Sequence, residues 1–308
     1  MEEYYKFANV VLKIEHEDDE VFGQIGNEIK NYRTEKSDHH CLAKIRKSAG
    51  ISIPNKAVRT NALDGQAIYS HKQQIFIVGK DNSYVISVST GLKEITADYA
   101  EDDPILRKML RVLLKWSIIV SAQENGLSYI HAAGAHYKGK NIIFCGDSHC
   151  GKSSALLRLI QNGAKAISDD SVLFDGRNLI PFTMNTTIDE DLQKRFCISP
   201  QSFEIEKYVD HGSEYGKPDM VVFLKIWNNE TSEIRGVDYN MALLSLIKIY
   251  KKEINLLWGI LNRDVKEGSG DIFRKYAALL EGTKCFEFCA GYNEEEVRKS
   301  LIDFLESH

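Results

Sequence analysis

Between positions 4 and 98, apolar residues alternate with polar ones or gather in short runs between turn residues, the period of two that predicts strands. The clearest case is QQIFIVGKDNSYVISVS, two β-rich runs on either side of Asp81 and Asn82, which predicts a hairpin. Between these runs and the start, NYRTEKSDHHCLAKIRKSAGISIPNK is polar and basic with little periodicity and reads as a loop or surface element. At Pro104 a long apolar segment begins, PILRKMLRVLLKWSIIVSA, which reads as a buried helix. Asp102 or Asp103 can cap it, Pro104 suits its first position because no backbone N–H is needed there, and Gly126 stops it after Asn125. The boundary is placed at this helix, with a β-rich N-terminal domain at residues 1–100 and a second domain at 101–308.

In the second domain, YIHAAGAHYKGKNIIFCG predicts a hairpin around Lys138 and Gly139. A further hairpin joins AISDDSVLF to RNLIPF through Asp175 and Gly176. Antiparallel hairpins on both sides of one loop imply an α/β fold with a mixed sheet rather than a doubly wound parallel one. The stretch from Pro200 to Pro218 is polar and aperiodic; a lid, a substrate loop and a plain connector all fit it, the connector best. The remainder predicts a strand (MVVFLKIW), a helix from about Asn240 to Asn262, a shorter helix ending near Glu281, a strand (KCFEFCA) and a helix from Glu294 to Ser307.

The segment NIIFCGDSHCGKS carries the chemistry. Gly146, Gly151, Lys152 and Ser153 fit G-x-x-x-x-G-K-S/T in full, after the strand NIIFC and before the helical SSALLRLIQNG. Such a loop turns backbone N–H groups and a helix N-terminus toward phosphate, while the lysine adds a mobile cation and the serine can ligate magnesium. A chance strand, turn and helix is the weaker explanation. Gly151 is expected to let the backbone approach closely. Downstream, Asp169 and Asp170 are read as neighbours on one strand, so that their carboxylates point to opposite faces and divide the labour: one toward magnesium, one toward the attacking hydroxyl. His131, on the strand pairing with the one that enters the loop, is either a buried histidine or an orienting or proton-handling group.

Composition narrows the setting. With 43% hydrophobic and 27% charged residues in 308, a soluble globular protein is expected, and the net charge of -5 argues against a nucleic-acid partner. Arg107, Lys108, Arg111 and Lys115 interrupt the most apolar segment too often for a bilayer span. The N-terminal stretch has no basic start followed by an apolar run, and six scattered cysteines make no disulfide framework, so a cytoplasmic location is expected. DHHC at 38–41 lacks a second ligand cluster and reads as surface; Cys285 and Cys289 read as core packing on one face of a strand. Lys44, Arg46, Lys47, Lys56 and Arg59 read as a solvated basic surface on which an acidic peptide can dock.

Residues 131 to 174, HAAGAHYKGKNIIFCGDSHCGKSSALLRLIQNGAKAISDDSVLF, resemble the catalytic domain of HPr kinase/phosphorylase and the wider set of HPr-kinase-like proteins. Histidine, phosphate loop, helix and an Asp-Asp pair follow in the same order. The resemblance fades after about Phe182. It implies a P-loop kinase domain with a mixed sheet like that of HPr kinase and phosphoenolpyruvate carboxykinase, phosphorylating a serine hydroxyl with ATP and Mg2+. Carried onto this chain, His131 assists or orients the catalytic aspartate, Asp169 is the base, and Asp170 with Ser153 completes the metal site. Lys152 binds the phosphates, within a nucleotide-binding set of Gly146, Asp147, Ser148, His149, Cys150, Gly151, Lys152, Ser153 and Ser154. His149 stands where the bacterial enzymes have glycine, and the EIRG tetrapeptide at Glu233 to Gly236 comes later than the family's signature. These departures leave phosphorylase activity, and HPr as the substrate, open. The β-rich N-terminal part suits the divergent members that modify peptides, including lasso peptide precursors. The expected activity is therefore an ATP-dependent serine or threonine kinase of a peptide or small protein, with a small-metabolite kinase and a non-catalytic nucleotide-binding module as alternatives. A homo-oligomer is compatible with this reading.

Overall fold

The structure, a computed structural model, describes the chain except residues 18–19, 49–50, 64, 185–195, 197–204, 211–214 and 261–268. The chain forms two units, Met1–Gly126 with Asn255–Val265, and Leu127–Ile254 with Lys266–His308.

The first unit is built on β1 (Glu2–Phe7), β2 (Val10–His16), α1 (Glu20–Ile29), β3 (Arg33–Thr34), β4 (Cys41–Lys47), β5 (Val58–Leu63), β6 (Gln66–His71), β7 (Gln74–Val78), β8 (Tyr84–Ser89), β9 (Glu94–Tyr99) and α2 (Pro104–Glu124). The strands lie in the order β3-β1-β2-β4-β9-β8-β7-β6-β5, antiparallel except where β4 pairs with β2 and β9. The expected hairpin at Asp81 and Asn82 is present as β7–β8, and both turn residues hold a left-handed backbone, which asparagine and aspartate tolerate. The basic stretch, in contrast, contains a central strand. Cys41, Ala43 and Ile45 of β4 are buried, while Lys44 and Arg46 on the opposite face pair with Glu94 and Asp98 of β9, so the polar face hid the period of two. The helix α1 was likewise concealed: Val21, Phe22, Ile25 and Ile29 share a buried helical face, but Gly23 and Gly26 weaken the helical signal.

Asp103 caps α2, its carboxylate accepting from Ile105 N at 2.8 Å. The helix lays Leu106, Leu110, Leu113 and Leu114 in the core against β2, β4 and β9. Because this apolar face belongs to the first sheet, the chain divides after Gly126 rather than after residue 100. Among the described residues no helix is long and apolar enough to cross a membrane.

The second unit comprises β10 (Ser128–Ile130), β11 (Ala132–Tyr137), β12 (Lys140–Cys145), α3 (Lys152–Gln161), β13 (Lys165–Ser168), β14 (Val172–Phe174), β15 (Leu179–Ile180), β16 (Met220–Ile226), β17 (Glu233–Gly236), α4 (Tyr239–Ile260), α5 (Ser269–Leu280), β18 (Lys284–Ala290) and α6 (Glu294–Ser307). A six-stranded sheet runs β13-β11-β12-β16-β18-β17 and a three-stranded one β10-β14-β15. The larger sheet is mixed as expected: β11 is antiparallel to β12 and β13, whereas β12, β16 and β18 run parallel. Leu156, Leu159 and Ile160 of α3 and Leu301, Phe304 and Leu305 of α6 join one apolar cluster with Ala135, Phe144, Val222 and Phe288 of the sheet. The stretch Pro200 to Pro218 lies in part outside the described residues, as do Cys197 and the expected helix end at Asn262.

Candidate functional site

The register of three neighbouring strands brings the sequence motifs to one end of the larger sheet. Ala132, the first residue of β11, faces Cys145, the last of β12, so His131 and Gly146 leave the sheet side by side. Ser168, the last residue of β13, faces Gly134, so Asp169 leaves at the same end. Neighbouring strands lie about 4.8 Å apart, and β11 lies between the other two, so the three departures span about 10 Å laterally with His131 in the middle. A register shift at Gly134 and Ala135 leaves Ile167 extra on β13, a bulge of the kind that re-aims the residues after it.

Gly146 to Gly151 form a tight turn between β12 and α3. Lys152 is buried, and its ammonium group donates to Gly146 O and Asp147 O, both at 3.0 Å, so the lysine lies folded against its own loop. Gly151 has no side chain to cap α3, and its role is conformational: φ is 102° and a Cβ would meet nothing within 4 Å. Within the protein itself, the close approach is at Gly146. There a Cβ would stand 2.5 Å from Cys150 Sγ and 2.8 Å from Leu224 O. Gly146→Ala is expected to cost about 2–3 kcal/mol and lower the melting temperature by roughly 5–10 °C in a thermal melt, because backbone at Leu224 must yield. His149 holds φ 63°, the left-handed backbone that explains why glycine suits this place. Cys150 is buried, and burial pushes its thiol up from the ordinary value, which leaves it a small apolar side chain. Ser153 stands half-buried in the first turn of α3, next to buried Ser154.

The two aspartates do not sit on a strand. The run AISDDSVLF breaks between β13 and β14, where the chain passes from the larger sheet to the smaller, and Asp169 and Asp170 occupy the bend. Ser168 holds this corner. Its buried hydroxyl lies 2.5 Å from Ser171 O and 2.8 Å from Phe182 O, and it accepts from Ser171 N at 3.1 Å. The opposite-face argument for dividing the aspartates therefore falls, since strand alternation does not apply in a bend.

His131 is buried between β10 and β11, one residue before the strand it was expected to occupy. Its Nδ1 lies 3.2 Å from Asp170 Oδ1 and 3.4 Å from the Tyr129 hydroxyl, and its Nε2 lies 3.7 Å from Glu253 Oε1. The aspartate it contacts is Asp170, the expected metal ligand, not the expected base. Burial, with the charges of Asp170 and Glu253, raises the Tyr129 hydroxyl well above its usual range, so it remains protonated beside the imidazole.

Three residues of the site come from α4 and were not anticipated. Lys252 Nζ is 2.7 Å from Asp147 Oδ1, and this hydrogen bond holds the Asp147 carboxyl below its usual range, helped by the charges of Lys252 itself and of Lys248. Glu253 reaches His131. One signal for Glu253 exists in the sequence: it follows Leu246 by seven residues and Tyr250 by three, so an acidic residue falls on the buried face of an amphipathic helix.

Among the described residues no group of three or more His, Cys, Asp or Glu side chains has the geometry to hold a metal alone. The Ser153 hydroxyl and the carboxylates of Asp169 and Asp170 are nevertheless hard oxygen donors, and magnesium commonly takes one or two carboxylates beside phosphate oxygens and water. The donor chemistry fits that ion.

No protein-family model matches the chain, and no curated protein matches it. Among solved structures, the Hpr(Ser) kinase/phosphatase from Coxiella burnetii is distantly similar, over 58% of this chain and 97% of its own, with 11% identity and a TM-score of 0.27. A likeness of that size assigns no residue a role.

Proposed function

We propose that the second unit is an ATP-dependent kinase, aided by magnesium, that phosphorylates a serine or threonine hydroxyl of a peptide or small protein. One observation carries the reading: Lys252 and Glu253, consecutive on α4, reach the phosphate-loop residue Asp147 and the His131–Asp170 pair, so one helix turn bridges the two halves of the site. Consecutive Cα atoms are only about 3.8 Å apart. The common sheet end of His131, Gly146 and Asp169 supports the same reading.

In this mechanism Lys152 and the amides of the loop and of α3 hold the phosphates. Asp169 accepts the proton of the acceptor hydroxyl while the hydroxyl oxygen bonds to the γ-phosphorus and the bond from that phosphorus to the β,γ-bridging oxygen breaks, releasing ADP. Asp170 and Ser153 would hold the magnesium ion, whose contribution is to neutralise charge on the phosphate oxygens. His131 then acts as a positioning residue for Asp170. Its Nδ1 lies 3.2 Å from the Asp170 carboxylate, and ligating carboxylates are commonly oriented by a neighbour in this way.

The peptide acceptor rests on the resemblance of residues 131 to 174 to the HPr-kinase-like proteins. Intact-mass measurement after incubation with ATP, magnesium and serine-containing peptides, among them any short precursor encoded beside this chain, is expected to show the gain of one phosphoryl group. Phosphorylation of small hydroxylated metabolites with none of any peptide would overturn the acceptor class, and ATP binding without transfer to either would overturn the kinase reading.

A further inference from the structure

We infer that Lys252, with Lys248 one helical turn before it, forms a second cationic arm that leaves Asp147 and takes the terminal phosphate of a nucleoside triphosphate. The inference rests on the proposed reading of Gly146 to Ser153 as a nucleotide site, and adds to it a set of residues outside that loop.

The Lys252–Asp147 pair is the starting point. Asp147 immediately follows Gly146, the first residue of the phosphate motif, and its carboxylate presents to Lys252 the kind of oxyanion that a phosphate also presents. Both side chains are mostly exposed, 60% for Lys252 and 67% for Asp147, so little besides the pair itself holds them together. Exposed ion pairs contribute little and exchange readily. A triphosphate carries more negative charge than one carboxylate, so Lys252 gains by the exchange, and the displaced Asp147 can turn to water.

The position of α4 says which phosphate is met. The next residue, Glu253, reaches His131, and His131 touches Asp170, so Lys252 approaches the loop from the side of the aspartate corner where transfer takes place. Lys152 is folded against the loop, its ammonium on Gly146 O and Asp147 O. Lys248 is exposed, and it lies four residues before Lys252 on the same helical face. Its charge acts on Asp147 together with those of Lys252 and Lys152. Lys251, also exposed, is turned about 100° from Lys252 around the helix and serves as the control.

Titration calorimetry with ATP and ADP on the full chain tests the inference. Lys252→Gln is expected to weaken ATP about ten-fold and ADP about three-fold or less, with Lys252→Arg restoring most of the loss. Lys251→Gln is expected to leave both affinities unchanged. An ATP loss below about two-fold, or an equal loss for ATP, ADP and the Lys251→Gln variant, overturns the inference. A chain whose ATP binding depends on Lys152 yet ignores Lys252 overturns this inference alone. Native-strength ATP binding in Lys152→Ala, or none in the unaltered chain, overturns the reading of the loop itself.

Discussion

Alanine in place of Lys152 is expected to weaken nucleoside triphosphate binding roughly a hundred-fold or more, about 3 kcal/mol, the largest effect of any single change on affinity. Lys152 is buried, and its Nζ already lies in a fixed place against Gly146 O and Asp147 O. An ammonium so placed does not have to be ordered when phosphate arrives, and it loses little water on binding. Arginine is not a conservative replacement: its planar fork does not reproduce a point cation between two carbonyl oxygens, so Lys152→Arg is expected to bind weakly as well. The same lysine braces the loop, and Lys152→Ala is expected to lower stability by about 1–2 kcal/mol in a urea titration without nucleotide. Calorimetry on folded protein separates the two effects. An affinity within three-fold of the native value would mean that Gly146 to Ser153 is not where phosphate binds.

Asp169→Asn should part binding from chemistry. The amide keeps the shape of the carboxylate and cannot accept the proton, so ATP affinity is expected to stay near native while transfer falls by about 10²–10⁴-fold in single-turnover measurements. Asp170→Asn is expected to behave differently: the magnesium concentration for half-maximal rate rises, because the carboxylate held by His131 is the one assigned to the metal. His131→Ala should move the same magnesium dependence in the same direction and less far. Transfer by Asp169→Asn at the native rate would remove Asp169 from the role of base, and an unaltered magnesium requirement in Asp170→Asn would exchange the two assignments or dissolve them.

What the sequence made legible was local. Hairpins announced themselves through paired apolar runs around Asp81 and Asn82, Lys138 and Gly139, and Asp175 and Gly176, and all three are present. The strand, loop and helix around Gly146 to Ser153 followed from the glycine and lysine spacing. The misses share a different cause. The four polar residues Ser168 to Ser171 mark the break at Asp169 only faintly, because what makes it is the Ser168 hydroxyl meeting a carbonyl fourteen residues later and a change of sheet at that point. β4 was masked by the lysine and arginine of its outward face, whose partners Glu94 and Asp98 lie on β9. Lys252 and Glu253 lie about a hundred residues from the groups they meet; on a lysine-rich helix Lys252 looks like any solvated residue, and Glu253 carries only the mark of an acid on the buried face. The site's local half could be read; the half supplied by α4 could not.

Because α4 touches both halves with consecutive residues, its rotational phase is a property of the site. Its start is set by Asp238, whose carboxylate accepts from Asn240 N and Met241 N, and its middle by Tyr250 packed edge-on to Tyr276. One residue inserted between these anchors would turn everything after it by about 100° and carry it about 1.5 Å along the axis, taking Lys252 from the loop and Glu253 from the histidine together. Substitutions on the outer surface of this helix away from Lys248 and Lys252 should be borne easily; changes in its length should not.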